Sequence, residues 1–301
     1  MIEFQNVYAS YDGELAILKD MSFTINNGDF IAFVGTNGAG KSTTMRLVNG
    51  LLKPTSGQVL IDGVPTTELK TSELAERVGF LFQNPDRQIC KNTVREELLF
   101  GFEAQGKLDA EAEAKADAMI KRFNFDPDAE PFLLNRGTRQ LLALASIVVL
   151  APPVVVLDEP TTGLDYRECI KVMDIIRELN EHGTTVIMVC HDMEVVADYA
   201  QRVIAMTQGQ VVADGETFEI LQNPSVVEKA HLLPPQIVDI AYQLCQTHQA
   251  LQGSTVSEAH TVSELTDALV QVSKNKEALR AADAGAVNTP ADTLHAAKEE
   301  N

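Results

Sequence analysis

One nonapeptide limits what this chain can fold into: Gly35-Thr36-Asn37-Gly38-Ala39-Gly40-Lys41-Ser42-Thr43, which fits G-x-x-x-x-G-K-[ST]. The apolar run Phe30 to Val34 before it reads as a buried strand, and Thr44 to Leu52 after it as a helix. Strand, glycine loop and helix together make a phosphate cradle. The glycines let successive N–H groups turn inward, and the helix N-terminus adds a positive dipole end. Gly35, Asn37, Gly38, Gly40 and Thr43 would line it. Lys41 would reach β- and γ-phosphates, and Ser42 would offer its hydroxyl to Mg²⁺.

Such a loop needs a large α/β sheet around it, and 301 residues with 45% hydrophobic content can supply one. The formal net charge of −19 argues against nucleic acid or an anionic membrane as the main surface partner. Cys90, Cys169, Cys190 and Cys245 are scattered and form no metal-ligand pair. With Met1 to Gln5 neither basic nor followed by an apolar run, a reducing cytosolic setting is expected. The apolar run from Leu141 to Leu157 is broken by Pro152-Pro153, so it reads as a helix, a turn and a strand rather than a membrane span.

Upstream of the loop, Ile2, Phe4, Val7, Met21, Phe23 and Ile25 alternate in the manner of strands. Tyr11 lies in a turn-like break and is placed to stack on an adenine ring, with Tyr8 as the competing candidate. Downstream, Gln58 to Ile61 and Val78 to Phe82 read as strands, with a hairpin at Asp62-Gly63 and a short helix over 72–77. Residues 93–123 read as an inserted helical subdomain. Val154 to Leu157 is a buried strand that delivers Asp158 and Glu159 at its end. Asp158 suits Mg²⁺, and Glu159 suits polarising an attacking water. A helix over 167–180 and a strand over 184–190 follow, and the strand ends at His191, which would donate to a γ-phosphate.

The P-loop, Gln83, the Leu134 to Gln140 segment, Asp158-Glu159, Asp165 and His191 stand in the order of ABC-type ATPase subunits, which the chain resembles over residues 1 to about 225. Phe82-Gln83-Asn84-Pro85-Asp86-Arg87-Gln88 resembles the extended Q-loop of energy-coupling factor (ECF) transporters, importers of vitamins and of cobalt or nickel ions. Leu232-Leu233-Pro234-Pro235-Gln236 is similar to that family's C-terminal extension. The resemblance implies an ABC ATPase fold: a P-loop core, an antiparallel β subdomain, a helical subdomain at about 90–150 and a small C-terminal helical extension over 226–275. It implies ATP and Mg²⁺ as cofactors, with Ser42, Gln83 and Asp158 around the metal. Glu159, His191, Gln83 and Lys41 would be catalytic, Asp165 would lie at the nucleotide, and Gln83, Asp86 and Gln88 would form a coupling surface toward membrane components.

The family's signature, L-S-G-G-Q, acts on the partner subunit's ATP. Here Asn135, Arg136 and Thr138 replace its serine, first glycine and glutamine, and Leu134 and Gly137 hold. A side chain at Arg136 would intrude where the family's backbone approaches the γ-phosphate. This predicts a heterodimer with a second ATPase of intact signature, at the cytoplasmic face of a membrane, and no nucleic-acid partner. A soluble non-transport ABC ATPase and a low-turnover nucleotide-binding regulator are the competing readings. Helices over 237–244 and 262–272 suit dimerisation or plain packing. Residues 276–301 read as a disordered tail.

Overall fold

The computed structural model describes residues 1–248, 251 and 253–286. Strands β1 (Ile2–Ala9) and β2 (Leu18–Ile25) form a hairpin whose inward residues alternate as the sequence pattern requires. Next come β3 (Phe30–Gly35), α1 (Lys41–Val48), β4 (Ser56–Ile61) and β5 (Val64–Pro65). The Asp62-Gly63 turn between β4 and β5 has both residues at positive φ, 52° and 78°, which suits a tight hairpin. Helix α2 (Thr71–Arg77) leads into β6 (Val78–Leu81). Helices α3 (Val94–Ala104) and α4 (Ala110–Phe123) make the inserted helical pair, and α5 (Arg136–Val148) returns the chain to β7 (Val154–Asp158). Then follow α6 (Tyr166–Glu181), β8 (Thr185–Val189), α7 (Met193–Tyr199), β9 (Arg202–Thr207), β10 (Gln210–Glu216), α8 (Thr217–Leu221) and α9 (Pro224–Ala230).

Two sheets result, in the orders β2-β1-β4-β5 and β10-β9-β3-β8-β7-β6. The first is antiparallel; in the second, β9, β3, β8, β7 and β6 are parallel and β10 is antiparallel. Because β3 is buried on both faces, its sequence is a continuous apolar run rather than an alternating one. Phe30, Ala32 and Val34 face the helical layer, while Ile31 and Phe33 face the small sheet. There Phe33 meets Phe23 edge-on at 5.5 Å between ring centres, and Phe23 stacks on Phe4 at 4.3 Å. This aromatic column joins the two sheets.

Three sequence-based boundaries move. Helix α1 starts at Lys41 rather than Thr44, because the loop's last glycine, Gly40, serves as its N-cap with φ 102°. Helix α5 starts at Arg136 rather than Leu141, because the Asn135 side chain caps it by accepting from the Thr138 N–H at 2.8 Å. Helix α9 belongs to the first compact unit, which runs from Met1 to Pro234, past residue 225. The second unit holds α10 (Gln236–Thr247), a 3-10 turn at Thr255–Glu258 and α11 (Val262–Ala286), around Ala241, Val256, Leu265 and Ala268. Helix α11 covers residues 276–286, a stretch whose composition suggests a disordered tail; residues 287–301 lie outside the described residues. No helix among the described residues is long and apolar enough to cross a membrane.

Truncation of the inter-sheet column tests this account. Phe33→Ala should cost about 3–5 kcal/mol of stability, measured by denaturant unfolding. A loss below about 1 kcal/mol would mean that the column does not join the sheets.

Candidate active site

The parallel strands β3, β7 and β8 end on one edge of the sheet, and each delivers one part of the site. After β3 the chain makes its glycine turn. A Cβ on Gly35 would run into the Met206 carbonyl oxygen, so only glycine lets β3 leave the sheet beside β9. The Gly209 N–H braces the turn by donating to the Ala39 carbonyl at 3.0 Å. Lys41, only 5% exposed, donates through Nζ to the Gly35 carbonyl at 2.6 Å and to the Thr36 carbonyl at 2.9 Å. Burial lowers the Lys41 pKa, and the Glu159 and Asp158 carboxylates partly offset that effect.

Strand β7 ends in Asp158, and Glu159 follows with φ 52°, a left-handed backbone in which its N–H donates to the Val189 carbonyl at 3.0 Å. This turn aims the two neighbouring carboxylates at different partners. The Ser42 hydroxyl donates to Asp158 Oδ1 at 3.4 Å. Glu159 accepts from Gln83 Nε2 at 2.6 Å and from the Thr162 hydroxyl at 2.9 Å, and its other oxygen is 3.1 Å from His191 Nε2. Burial, then the adjacent Glu159 charge, raises the Asp158 pKa above the ordinary carboxylate value. A raised carboxylate beside a hydroxyl is an oxygen donor set in want of a cation. Among the described residues no three His, Cys, Asp or Glu side chains gather to hold a metal ion. Ser42 and Asp158 are residues that could hold Mg²⁺, which takes one or two protein oxygens and completes its shell with phosphate and water.

A cleft of about 350 Å³ opens here, lined by Ile17, Asn37, Gly38, Gly40, Lys41, Ser42, Thr43, Glu159, Val189 and His191. Gly35 lines a neighbouring hollow with Thr36, Asn37 and His191. Tyr11 is brought to the rim: its hydroxyl lies 3.3 Å from Thr43 Oγ1 and accepts from Arg46 Nη1 at 2.8 Å, while 54% of the residue stays exposed. Tyr8 sits on β1. Asp165 stands apart from the cleft lining. Its carboxylate caps α6 by accepting from the Glu168 N–H at 2.8 Å.

The signature residues Asn135, Arg136, Gly137 and Thr138 form the start of α5 and do not line the cleft. Beyond Gln83, Asp86 lies 3.0 Å from Arg139 Nε on α5. Gln88 does not present its side chain as a surface contact. Its amide is spent inside the chain, accepting from the Phe82 N–H and donating to the Ala143 carbonyl at 2.7 Å. Sequence reasoning also passed over Thr162, Arg46 and Ile17. Only Thr162 carried a signal, as a hydroxyl three residues after the second carboxylate.

The chain is similar to known proteins over most of its length. A family model described as "ABC transporter" matches residues 18–162. The energy-coupling factor transporter ATP-binding protein EcfA of Methanocaldococcus jannaschii is 35% identical over 244 residues, 80% of this chain and 88% of that protein. A putative ABC transporter ATP-binding protein of Methanosarcina acetivorans is 40% identical over 263 residues, 87% of this chain, but the match spans only 42% of that longer protein. The structure of cbiO1 from Clostridium perfringens, described as part of the ABC transporter complex cbiONQ, superposes with a TM-score of 0.68 at 30% identity, covering 81% of this chain and 98% of that one. The chain therefore belongs to the ABC transporter family of ATP-binding proteins, on its energy-coupling factor branch.

The raised Asp158 pKa has a consequence for stability. A folded-state pKa above the unfolded one means that the folded chain holds the proton more tightly, so this group's contribution falls as pH rises from the ordinary Asp range through the raised value. Asp158→Asn should therefore raise the Tm of the nucleotide-free, metal-free chain at neutral pH, with the gain shrinking on acidification. Thermal unfolding at several pH values checks this. A lower Tm at neutral pH would show that the carboxylate is not under strain.

Proposed function

We propose that this chain is the ATP-binding and ATP-hydrolysing subunit of an energy-coupling factor importer for a vitamin or a transition-metal ion. The observation that carries the proposal is the convergence of Lys41, Ser42, Asp158, Glu159 and His191 on one cleft at the carboxyl edge of the sheet. The reaction is phosphoryl transfer to water. Backbone N–H groups of residues 37–43 and the Lys41 ammonium hold the phosphate charge. Lys41 exchanges its two loop carbonyls for phosphate oxygens when ATP enters. Ser42 and Asp158, with Gln83, would hold Mg²⁺, which would supply positive charge against the phosphates.

Glu159 orients and polarises the attacking water, and His191 donates to the γ-phosphate. Tyr11 offers its exposed ring to the base. Asp165 belongs to the nucleotide-side contacts of the assembled dimer, where the Asn135 to Thr138 segment faces the partner's ATP. The partner is a second, non-identical ATPase with an intact signature, because a dimer of this chain alone would carry Arg136 at both sites. The pair works at the cytoplasmic face of the membrane, where a membrane component docks beside Gln83 and Asp86. A half-buried apolar groove next to that loop, lined by Leu51, Ala75, Phe80, Phe82, Ile147 and Leu150, is suited to receive it.

Two measurements test the reading. Lys41→Ala should weaken ATP binding about 10-fold or more, as expected for a charge-assisted phosphate contact, by equilibrium binding of a fluorescent ATP analogue; unchanged affinity would remove the P-loop assignment. A pull-down of this chain from solubilised membranes should recover a second ATPase with an intact signature together with integral membrane proteins. Recovery of self-associated chain alone would favour the soluble or regulatory alternative.

A further inference from the structure

Arg136 stands where the family resemblance places a glycine, and its side chain turns back onto its own chain. Nη2 donates to the Thr162 carbonyl at 3.0 Å, and the guanidinium lies over Gly163, where a Cβ would come within 2.8 Å of Nε. Thr162 is the residue whose hydroxyl donates to Glu159 Oε2 at 2.9 Å. One residue therefore separates the signature arginine from the carboxylate assigned to this chain's own water.

Two further ties run the same way. Gln140, one turn along α5 and buried, donates through Nε2 to the Pro160 carbonyl at 3.2 Å. The Glu168 carboxylate lies against Gly137, where an added Cβ would collide with it. The first turns of α5 thus hold residues 160–168 at three points. That segment needs holding: Glu159 sits at φ 52°, a left-handed conformation uncommon outside glycine, which persists only when its surroundings fix it.

We infer that Arg136 is a positioning residue for hydrolysis in its own subunit. By binding the Thr162 carbonyl it fixes that peptide so that the Thr162 hydroxyl is aimed at Glu159. The substituted signature then serves the site in cis, whatever it does for the partner's nucleotide. Gly163 suits this place because its φ of 76° is one that side chains rarely adopt, and its bare Cα leaves the guanidinium room to lie over it. This inference rests on the assignment of Glu159 as the water-polarising carboxylate.

The test is steady-state ATP hydrolysis by the complex purified through a tag on the full-length chain. Arg136→Ala should lower kcat roughly three- to tenfold, the net size of one typical hydrogen bond, with KM for ATP unchanged. Arg136→Lys, which still donates to the carbonyl, should retain most of the turnover. Thr162→Val should lower kcat as well, and the double variant should fall no further than Thr162→Val alone, because both act through one contact. Losses that multiply in the double variant would overturn the inference. So would a rise in kcat on Arg136→Gly, which would make the arginine an obstruction to the partner's site. Glu159→Gln is the control that separates the two readings. If it leaves turnover intact, the Glu159 assignment fails and the inference with it. If it abolishes turnover while Arg136→Ala changes nothing, the inference alone fails.

Discussion

A buried ammonium facing two carboxylates is the interaction on which the working edge of this protein depends. Lys41 is nearly inaccessible, and burial opposes its charge; Asp158 and Glu159 offset that opposition from the end of β7. The loop carbonyls of Gly35 and Thr36 give the ammonium its hydrogen bonds. The arrangement is electrostatically unfinished, because Asp158 is itself disfavoured as an anion by burial and by Glu159. A polyphosphate with a divalent cation is the ligand chemistry that satisfies both signs at once. The parallel register of β3, β8 and β7 brings these groups within reach, since each strand ends at the same edge.

Glu159 is the best connected of these groups, and its four partners come from three places in the chain. Gln83 follows β6, Thr162 lies in the loop after β7, His191 follows β8, and the backbone partner Val189 ends β8. Such a residue reads the position of the helical layer as well as that of the sheet. Gln83 opens the loop that Asp86 and Gln88 tie to α5, and α5 in turn holds the loop that carries Thr162. A shift of α5 against the sheet would therefore reach Glu159 from both sides, through the Gln83 loop and through Thr162.

Much of the scaffold was legible in the sequence because its signals are local. The apolar runs at Phe30, Val154 and Thr185 are strands buried on both faces, and Asp62-Gly63 is a turn whatever surrounds it. Helix starts were less legible. Gly40 and Asn135 act as caps through a backbone twist and a side-chain bond that apolar spacing does not register, so α1 and α5 begin earlier than their apolar stripes. Composition suggested a tail from Lys276, yet α11 continues through Ala286 on residues of high helix propensity such as Ala, Glu and Arg. Gln88 shares its loop with Gln83 but turns inward, a difference no spacing rule encodes.

The sequence by itself determined which donor and acceptor groups are available at the cleft. A glycine-rich loop ending in Lys41-Ser42 and an apolar strand ending in Asp158-Glu159 each specify a local geometry and a set of ligating atoms, because φ freedom, dipole direction and charge are properties of short segments. Tertiary structure alone decided which groups restrain which. That Arg136 lies against Gly163 and that Gln83 and His191 reach Glu159 follow from how α5 and the ends of β6 and β8 pack beside β7. Side-chain direction at a helix start depends on the neighbour that happens to fill the adjacent space, and residues 26 or more apart in sequence meet only after the sheet has formed.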